Sequence, residues 1–318
     1  MQGRIIKATG SWYDVSIHET GKVYACRIKG KFRLVDQRVN NPVAAGDEVI
    51  IALEEDGLTG IVQEILPRRN YILRSSTRRK HQLHLIACNV DQVFLVASVR
   101  EPTIKPGFID RYLLTTENYQ IPTVLVFNKC DIYNEGDWAV LNEIKKIYEP
   151  LGYRCLTVSA NTGEGVEALR DELKGKTTLI SGNSGVGKSS LLNSLLPNLE
   201  QRTGVLSGYT GKGQHTTTFA EIFMLGETQE DGTVIDTPGI KELGFINLEA
   251  LDVAHNYPEF FGALGRCRFH DCLHLEEPGC AVQEDLEAGK ISPLRYQSYC
   301  SIMDEVKEQK YHEKKLDW

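Results

Sequence analysis

Short apolar runs separated by turn residues open the chain. Ile5–Ile6, Val15–Ile17, Val23–Ile28, Val49–Leu53 and Ile61–Ile65 alternate with Gly10-Ser11, Glu19-Thr20-Gly21, Gly46-Asp47 and Glu55-Asp56-Gly57. About five short strands without a helical period predict a small closed β-barrel over residues 1–70. The OB-fold type fits, and the periodicity fits an SH3-like barrel equally. Residues 71–89 are charged and weakly periodic, which reads as a linker. From Val90 the pattern becomes strand–helix alternation. Apolar runs at Val93–Val99, Thr123–Phe127, Cys155–Val158, Thr177–Ile180 and Thr233–Ile235 predict buried strands. Helical stretches fall near Ile109–Asn118, Trp138–Tyr148, Val166–Leu173 and Ser189–Leu196. Near-continuous apolar strands between amphipathic helices indicate a mostly parallel sheet covered on both faces, an α/β domain over residues 90–245. Residues 246–318 change again, to a short Cys/His-rich segment and then charge-mixed helical sequence.

Composition narrows this reading. A chain of 318 residues can form two or three domains, and 41% hydrophobic with 25% charged residues is ordinary for a soluble globular protein. No apolar run has the length of a signal peptide's core at the start or of a membrane span later, so no membrane role and a cytoplasmic location are expected. In that compartment cysteines serve as thiols or metal ligands. Of the eight, Cys267, Cys272 and Cys280 fall within fourteen residues. The net charge of −7 excludes a protein coated in positive charge but not a local basic patch. Arg68, Arg69, Arg74, Arg78, Arg79 and Lys80 form such a run, readable as a solvated linker or as a phosphate contact.

The chemistry-bearing motifs sit at strand ends. Gly182, Asn183, Ser184, Gly185, Val186, Gly187, Lys188 and Ser189, followed by Ser190, match G-x-x-x-x-G-K-[ST] between a predicted strand and a predicted helix. Glycines allow the tight turn that points backbone N–H groups at phosphates. Lys188 should reach the β- and γ-phosphates, and the Ser189 hydroxyl should ligate Mg²⁺. Asn128, Lys129, Cys130 and Asp131 follow the strand Thr123–Phe127. A carboxylate at Asp131 can accept from guanine N1–H and the 2-amino group, a donor pair that adenine lacks, so the expected nucleotide is GTP or GDP. Ser159 and Ala160 fit the loop that backs the guanine. Asp236-Thr-Pro-Gly239 fits the D-x-x-G that holds Mg²⁺ through water and meets the γ-phosphate. One threonine of Thr216–Thr218, with Thr217 central, fits the Mg²⁺-sensing position of a switch loop. Ile240 follows Gly239, where many GTPases carry a water-orienting glutamine. His215 is the nearest polar candidate for that work.

The motif order is unusual, because the base-reading loops precede the phosphate-reading ones. A sheet whose original ends lie close together tolerates such a circular permutation. Beyond it, Cys267-x₄-Cys272-x-His274-x₅-Cys280 suits one tetrahedral structural Zn²⁺, with His270 a second-ranked ligand to His274.

Together these features resemble the bacterial ribosome-small-subunit-dependent GTPase A family over essentially the whole chain. The likeness includes Gly10-Ser-Trp-Tyr13, Gly213-Gln-His-Thr-Thr-Thr218, the zinc spacing and Ile291-Ser-Pro-Leu-Arg-Tyr-Gln-Ser-Tyr299. The resemblance implies an N-terminal OB-fold, a permuted GTPase domain and a C-terminal zinc domain. It also implies GTP hydrolysis stimulated by the small ribosomal subunit, late maturation of that subunit, rRNA binding, and release of an assembly factor by a monomer. Trp12, Tyr13 and Phe32 could stack on bases or pack in the barrel. The competing function class is a signalling or metal-handling GTPase acting on a protein partner.

Overall fold

A computed structural model describes residues 1–28, 41–75, 83–196, 220–226, 229–237 and 248–316. Strands β1 (Gln2–Thr9), β2 (Trp12–Ile17), β3 (Val23–Ile28), β4 (Glu48–Leu53) and β5 (Thr59–Ile65) build the barrel. Alternate residues turn inward, so Ile5, Val15, Ile17, Cys26, Val49, Ile51 and Val62 form its core. The sheet runs β1-β2-β3-β5-β4, and β4 pairs back onto β1 to close it. With β3 and β5 parallel and the other pairs antiparallel, this is the OB-type order, which settles the choice that periodicity left open.

The stretch read as a linker instead contains β6 (Tyr71–Ser75) and β7 (Leu83–Cys88), paired antiparallel. Ala45 bridges to Ala87, and the Asn89 Nδ2 donates to Gly46 O at 2.9 Å. Gly46, at φ +96°, lies so close to Cys88 that a Cβ there would sit 2.0 Å from the Cys88 carbonyl oxygen. Arg68 and Arg69, two of the six basic residues, are ion-paired, the first inward and the second at the surface. Arg68 pairs with the buried Asp47 at 2.7 Å and Arg69 with Asp91 at 2.9 Å. Arg78, Arg79 and Lys80 lie outside the described residues, as does Phe32.

The α/β region supplies β8 (Gln92–Ala97), α1 (Pro106–Asn118), β9 (Thr123–Phe127), α2 (Glu135–Tyr148), β10 (Arg154–Thr157), α3 (Val166–Leu173), β11 (Thr177–Gly182), α4 (Lys188–Leu195), β12 (Glu221–Met224) and β13 (Thr233–Asp236). Its strands lie in the order β10-β9-β8-β11-β13-β12, parallel except for β12. The strands are apolar on both faces because both are covered. Val93, Leu95 and Ala97 meet Tyr112, Leu113, Leu141 and Ile144 from α1 and α2. Phe94 and Val96 meet Leu169, Leu173, Leu191 and Leu195 from α3 and α4. The chain steps outward from β8 to β10, then returns to the other side of β8 at β11. The β8/β11 boundary is therefore the switch point, where open sheets of this kind bind ligands beyond the strand C-termini.

Helices α5 (Ala250–His255), α6 (Pro258–Phe261), α7 (Ala281–Glu287) and α8 (Pro293–Leu316) form the last unit. Helix α8 packs along α1, and Leu114 of α1 enters the C-terminal core. At that junction Arg295, 2% exposed, donates to Asp110 Oδ1 at 2.7 Å and to both Glu259 oxygens at 2.8 and 2.9 Å. Its guanidinium lies over the Tyr257 ring, 4.4 Å from the centroid, and Tyr148 donates to Asp110 Oδ1 at 2.6 Å. Burial of the cation is opposed by these two carboxylates, and the guanidinium is held well above its ordinary pKa by the Glu259 hydrogen bonds and the Asp110 charge. Removing one partner of a buried ion pair strands the others. Arg295→Ala should therefore cost about 3–5 kcal/mol. The denaturation midpoint of the C-terminal unit, followed by its tyrosine signal, checks this.

Candidate functional site

Loops following β9, β10 and β11 converge at the same sheet edge, because the register aligns their strand ends. Val96 pairs with Gly182, Ala97 with Phe127, and Phe127 with Thr157. Gly182 ends β11, the turn after it holds Asn183, Ser184, Gly185, Val186 and Gly187, and α4 begins at Lys188. Gly182 has φ +148°, and a Cβ there would lie 2.1 Å from Val96 O. Val186 anchors the loop by burying its side chain among Leu191 and Leu195. Ser184, Ser189 and Ser190 are exposed and Asn183 is half-buried. The Lys188 ammonium curls over the loop, 2.8 Å from Gly182 O and 2.7 Å from Asn183 O. Burial pushes its pKa down, while the charge of Asp236 opposes the shift.

Asn128, 1% exposed, connects all three loops. Its Nδ2 donates to Val186 O at 2.9 Å, and its Oδ1 accepts from Ala160 N at 3.1 Å. Gly187 leaves room for this: at φ +91°, a Cβ would fall 2.4 Å from Asn128 Nδ2. Lys129 takes the left-handed conformation at φ +69°, and its Nζ donates to Glu101 O at 2.5 Å. The exposed Asp131 carboxylate accepts from Ser159 Oγ at 2.6 Å and from Asn161 Nδ2 at 3.2 Å. The Ser159 hydroxyl bond, then the Asn161 amide, hold its pKa below the usual carboxylate range. Ser159 also accepts from the N–H groups of Asn161 and Thr162. Asn161 was not legible as a site residue, since nothing in its residue type or spacing distinguishes it from loop polarity.

Asp236 closes β13, next to β11, and is largely buried; the Thr237 hydroxyl donates to Ile180 O at 3.3 Å. His215, Thr217, Thr216–Thr218 as a group and Gly239 lie outside the described residues. Asn128, Lys129, Asp131, Ser159, Ala160 and the 182–190 segment are thus gathered at one sheet edge, with Asp236 close enough to bias Lys188.

The second cluster lies in the C-terminal unit. Ligand atoms of Cys267, Cys272, His274 and Cys280 all fall within 4.8 Å of one another. His274 Nδ1 is 3.7 Å from Cys267 Sγ and 3.4 Å from Cys280 Sγ. Ligands at ordinary Zn–S and Zn–N lengths on a tetrahedron stand roughly 3.5–3.8 Å apart, so the donor set and its spacing fit Zn²⁺. His270 is exposed and absent from the cluster, whereas His274 is fully buried.

A P-loop, an N-K-x-D loop and a permuted strand order around one sheet edge define a circularly permuted GTPase. A family model described as RsgA GTPase matches residues 65–246, and one described as RsgA N-terminal domain matches residues 2–62. The small ribosomal subunit biogenesis GTPase RsgA of Bacteroides fragilis is 46% identical over 311 residues, 98% of this chain and 99% of that one. Its counterpart from Christiangramia forsetii is 45% identical over 306 residues, 96% of each chain. Among solved structures, YjeQ from Thermotoga maritima superposes with a TM-score of 0.75 at 34% identity, covering 96% of this chain and 98% of that one. YloQ, described as a circularly permuted GTPase, gives 0.72 at 30% identity over 97% and 95%. The chain belongs to the RsgA GTPase family, and it is a P-loop enzyme that hydrolyses GTP.

Gly187→Ala tests the loop geometry. The new methyl group meets Asn128 in a left-handed backbone, at a cost of about 1–3 kcal/mol. GDP affinity, measured by titration calorimetry, should fall about tenfold or more.

Proposed function

We propose that this chain binds the small ribosomal subunit and its rRNA and assists late maturation of that subunit. On this reading it hydrolyses GTP slowly alone and faster on the particle, and it promotes release of an assembly factor. The observation that supports it most is near-full-length similarity to proteins named for small-subunit biogenesis, on a chain with an assembled guanine-nucleotide edge. The chain would act as a cytoplasmic monomer in three units: residues 1–70, the GTPase unit 90–245 and the C-terminal unit 246–318, with 71–89 between the first two.

Asp131 would read guanine, with Ser159 and Asn161 holding its carboxylate ionised and oriented. Asn128, Lys129 and Ala160 would shape the base pocket. Gly182–Ser190 would cradle the phosphates with Lys188 as their counter-charge. Ser189, Thr217 and, through water, Asp236 would hold Mg²⁺, which supplies charge neutralisation at the phosphates. Gly239 would meet the γ-phosphate through its N–H. His215 would position the attacking water, since Ile240 offers no hydrogen bond for that purpose. Cys267, Cys272, His274 and Cys280 would hold one structural Zn²⁺.

Single-turnover hydrolysis with and without small subunits tests the central reading. Stimulation on the order of 10³-fold is expected from groups completed by docking, and co-sedimentation should be stronger with a GTP analogue than with GDP. Equal rates with and without particles, and no nucleotide-dependent co-sedimentation, would favour a protein-directed GTPase. His215→Ala should lose most of the stimulation at unchanged nucleotide affinity. For the zinc site, metal analysis of purified protein should return one zinc per chain. Cys272→Ser should abolish that zinc and unfold the C-terminal unit, read as loss of protease resistance there.

A further inference from the structure

Five residues beyond the start of the N-K-x-D loop, a side chain absent from any nucleotide motif holds that loop from below. Tyr133 O–H donates to the backbone carbonyl of Asn128 at 2.7 Å. The same oxygen accepts from the N–H of Val99, in the loop after β8, at 3.0 Å. Asn128 and Val99 are both buried, so no solvent replaces either bond. The ring is fixed edge-on against Trp138, centroid to centroid 5.6 Å, and burial pushes the phenol's pKa up, which keeps it a neutral donor.

The β8 loop grips the base-reading loop at two further points. Glu101 O accepts from Lys129 Nζ, and Arg100 Nη1 donates to Ile132 O at 3.1 Å. The loop also reaches the phosphate side, with Pro102 Cδ placed 3.7 Å from where a Gly185 Cβ would be. Tyr133 is the strut at the centre of this arrangement, because it bonds the residue whose side chain joins all three nucleotide loops. A shift of the Asn128 carbonyl would move Asp131, three residues on, relative to Ser159 and the base.

We propose that Tyr133 is a positioning residue for guanine selection: its hydroxyl fixes the Asn128 backbone to the β8 loop and thereby sets the alignment of the Asp131 carboxylate. The inference rests on Asp131 as the base reader. It predicts a selective loss, not merely a weaker fold. Guanine presents two donors to Asp131, whereas hypoxanthine lacks the 2-amino group and presents one. Misalignment therefore costs a guanine nucleotide more than a hypoxanthine nucleotide.

The test is calorimetric titration of full-length wild type and Tyr133→Phe with GDP and with IDP. The phenylalanine ring keeps the Trp138 contact and removes only the hydroxyl. GDP affinity should fall about tenfold, IDP affinity by less, and the GDP-to-IDP ratio should narrow. Replacing Tyr133 by 4-aminophenylalanine, which restores a donor toward Asn128, should bring the ratio back toward wild type. This variant also carries the test alone if Tyr133→Phe folds poorly. A wild type that prefers GDP, with a ratio unmoved in Tyr133→Phe or unrestored by the amine, would overturn the strut alone. A wild type with no preference for GDP would overturn base reading by Asp131 and the strut with it.

Discussion

The nucleotide edge depends on one carboxamide. Asn128 is buried where three loops meet, and it uses both ends of its amide: the donor on Val186 O in the loop after β11, the acceptor on Ala160 N in the loop after β10. Aspartate would lose the donor and put a charge beside a carbonyl. An apolar residue would strand a buried N–H and a buried C=O, each worth about 1–3 kcal/mol. The bond from Asn128 to Val186 spans 58 positions of sequence, yet in the sheet the two strand ends are separated only by β8. Spatial order decides the site and chain order does not. That is why a permuted connection, with the N-K-x-D loop before the P-loop, still brings the two motifs together.

The metal cluster follows a related logic, in which the protein fixes ligands before an ion contributes. His274 sits in left-handed backbone at φ +57°, a conformation uncommon for any residue bearing a Cβ, although histidine enters it more readily than most. Its support is dense. The Glu277 carboxylate accepts from the N–H groups of Leu273, Leu275 and Glu276, and these bonds hold it ionised against its burial. Gln283 and Tyr296 both donate to His274 O, and Tyr299 donates to Leu273 O. Two of those three residues lie on α8, the helix that carries Arg295 to α1. The ligand loop is therefore built onto the same helix that fastens the unit to the GTPase core.

What the sequence discloses depends on whether a feature is local. The P-loop, the N-K-x-D run and the cysteine spacing are contiguous, so residue type and spacing were enough to find them. The parallel strands were legible because burial on both faces leaves an unbroken apolar run such as Gln92–Ala97 after its first residue. The β6–β7 pair was not, because Arg74, His84 and Ser75 interrupt the apolar alternation that Ile72, Leu73, Leu83 and Leu85 would otherwise show. Its order comes from tertiary contacts, Gly46 against Cys88 and Asn89 on Gly46 O, which no local pattern encodes. Bracketing by Cys272 and Cys280 ranks His274 above His270, and in the structure His274 is buried within the cluster while His270 is exposed. Arg295, 185 positions from Asp110, and Tyr133, whose bonds run to backbone atoms, carry no signal that a sequence scan could weigh.

The two appended units are joined to the GTPase core by interactions of different kinds. On one side, β12 would be an open edge, since it ends the α/β sheet with unpaired backbone groups. Strand β1 of the barrel covers it through a single register pair, Lys7 with Glu221, reinforced by their ion pair at 2.9 Å. Both side chains are about a third exposed, so that pair contributes at most about 1 kcal/mol. On the other side, α8 and α1 share an apolar seam and a fully buried cation between two carboxylates, whose separation would strand charges away from water. Parting β1 from β12 thus costs far less than parting α8 from α1. Strand β12 is also the first described element after residues 197–219, which include Thr216, Thr217 and Thr218. The strand pairing is only part of the barrel's junction, because Asn89 Nδ2 also donates to Gly46 O and Ala45 packs in the core cluster of the GTPase unit, so the barrel is held through the β6–β7 segment as well.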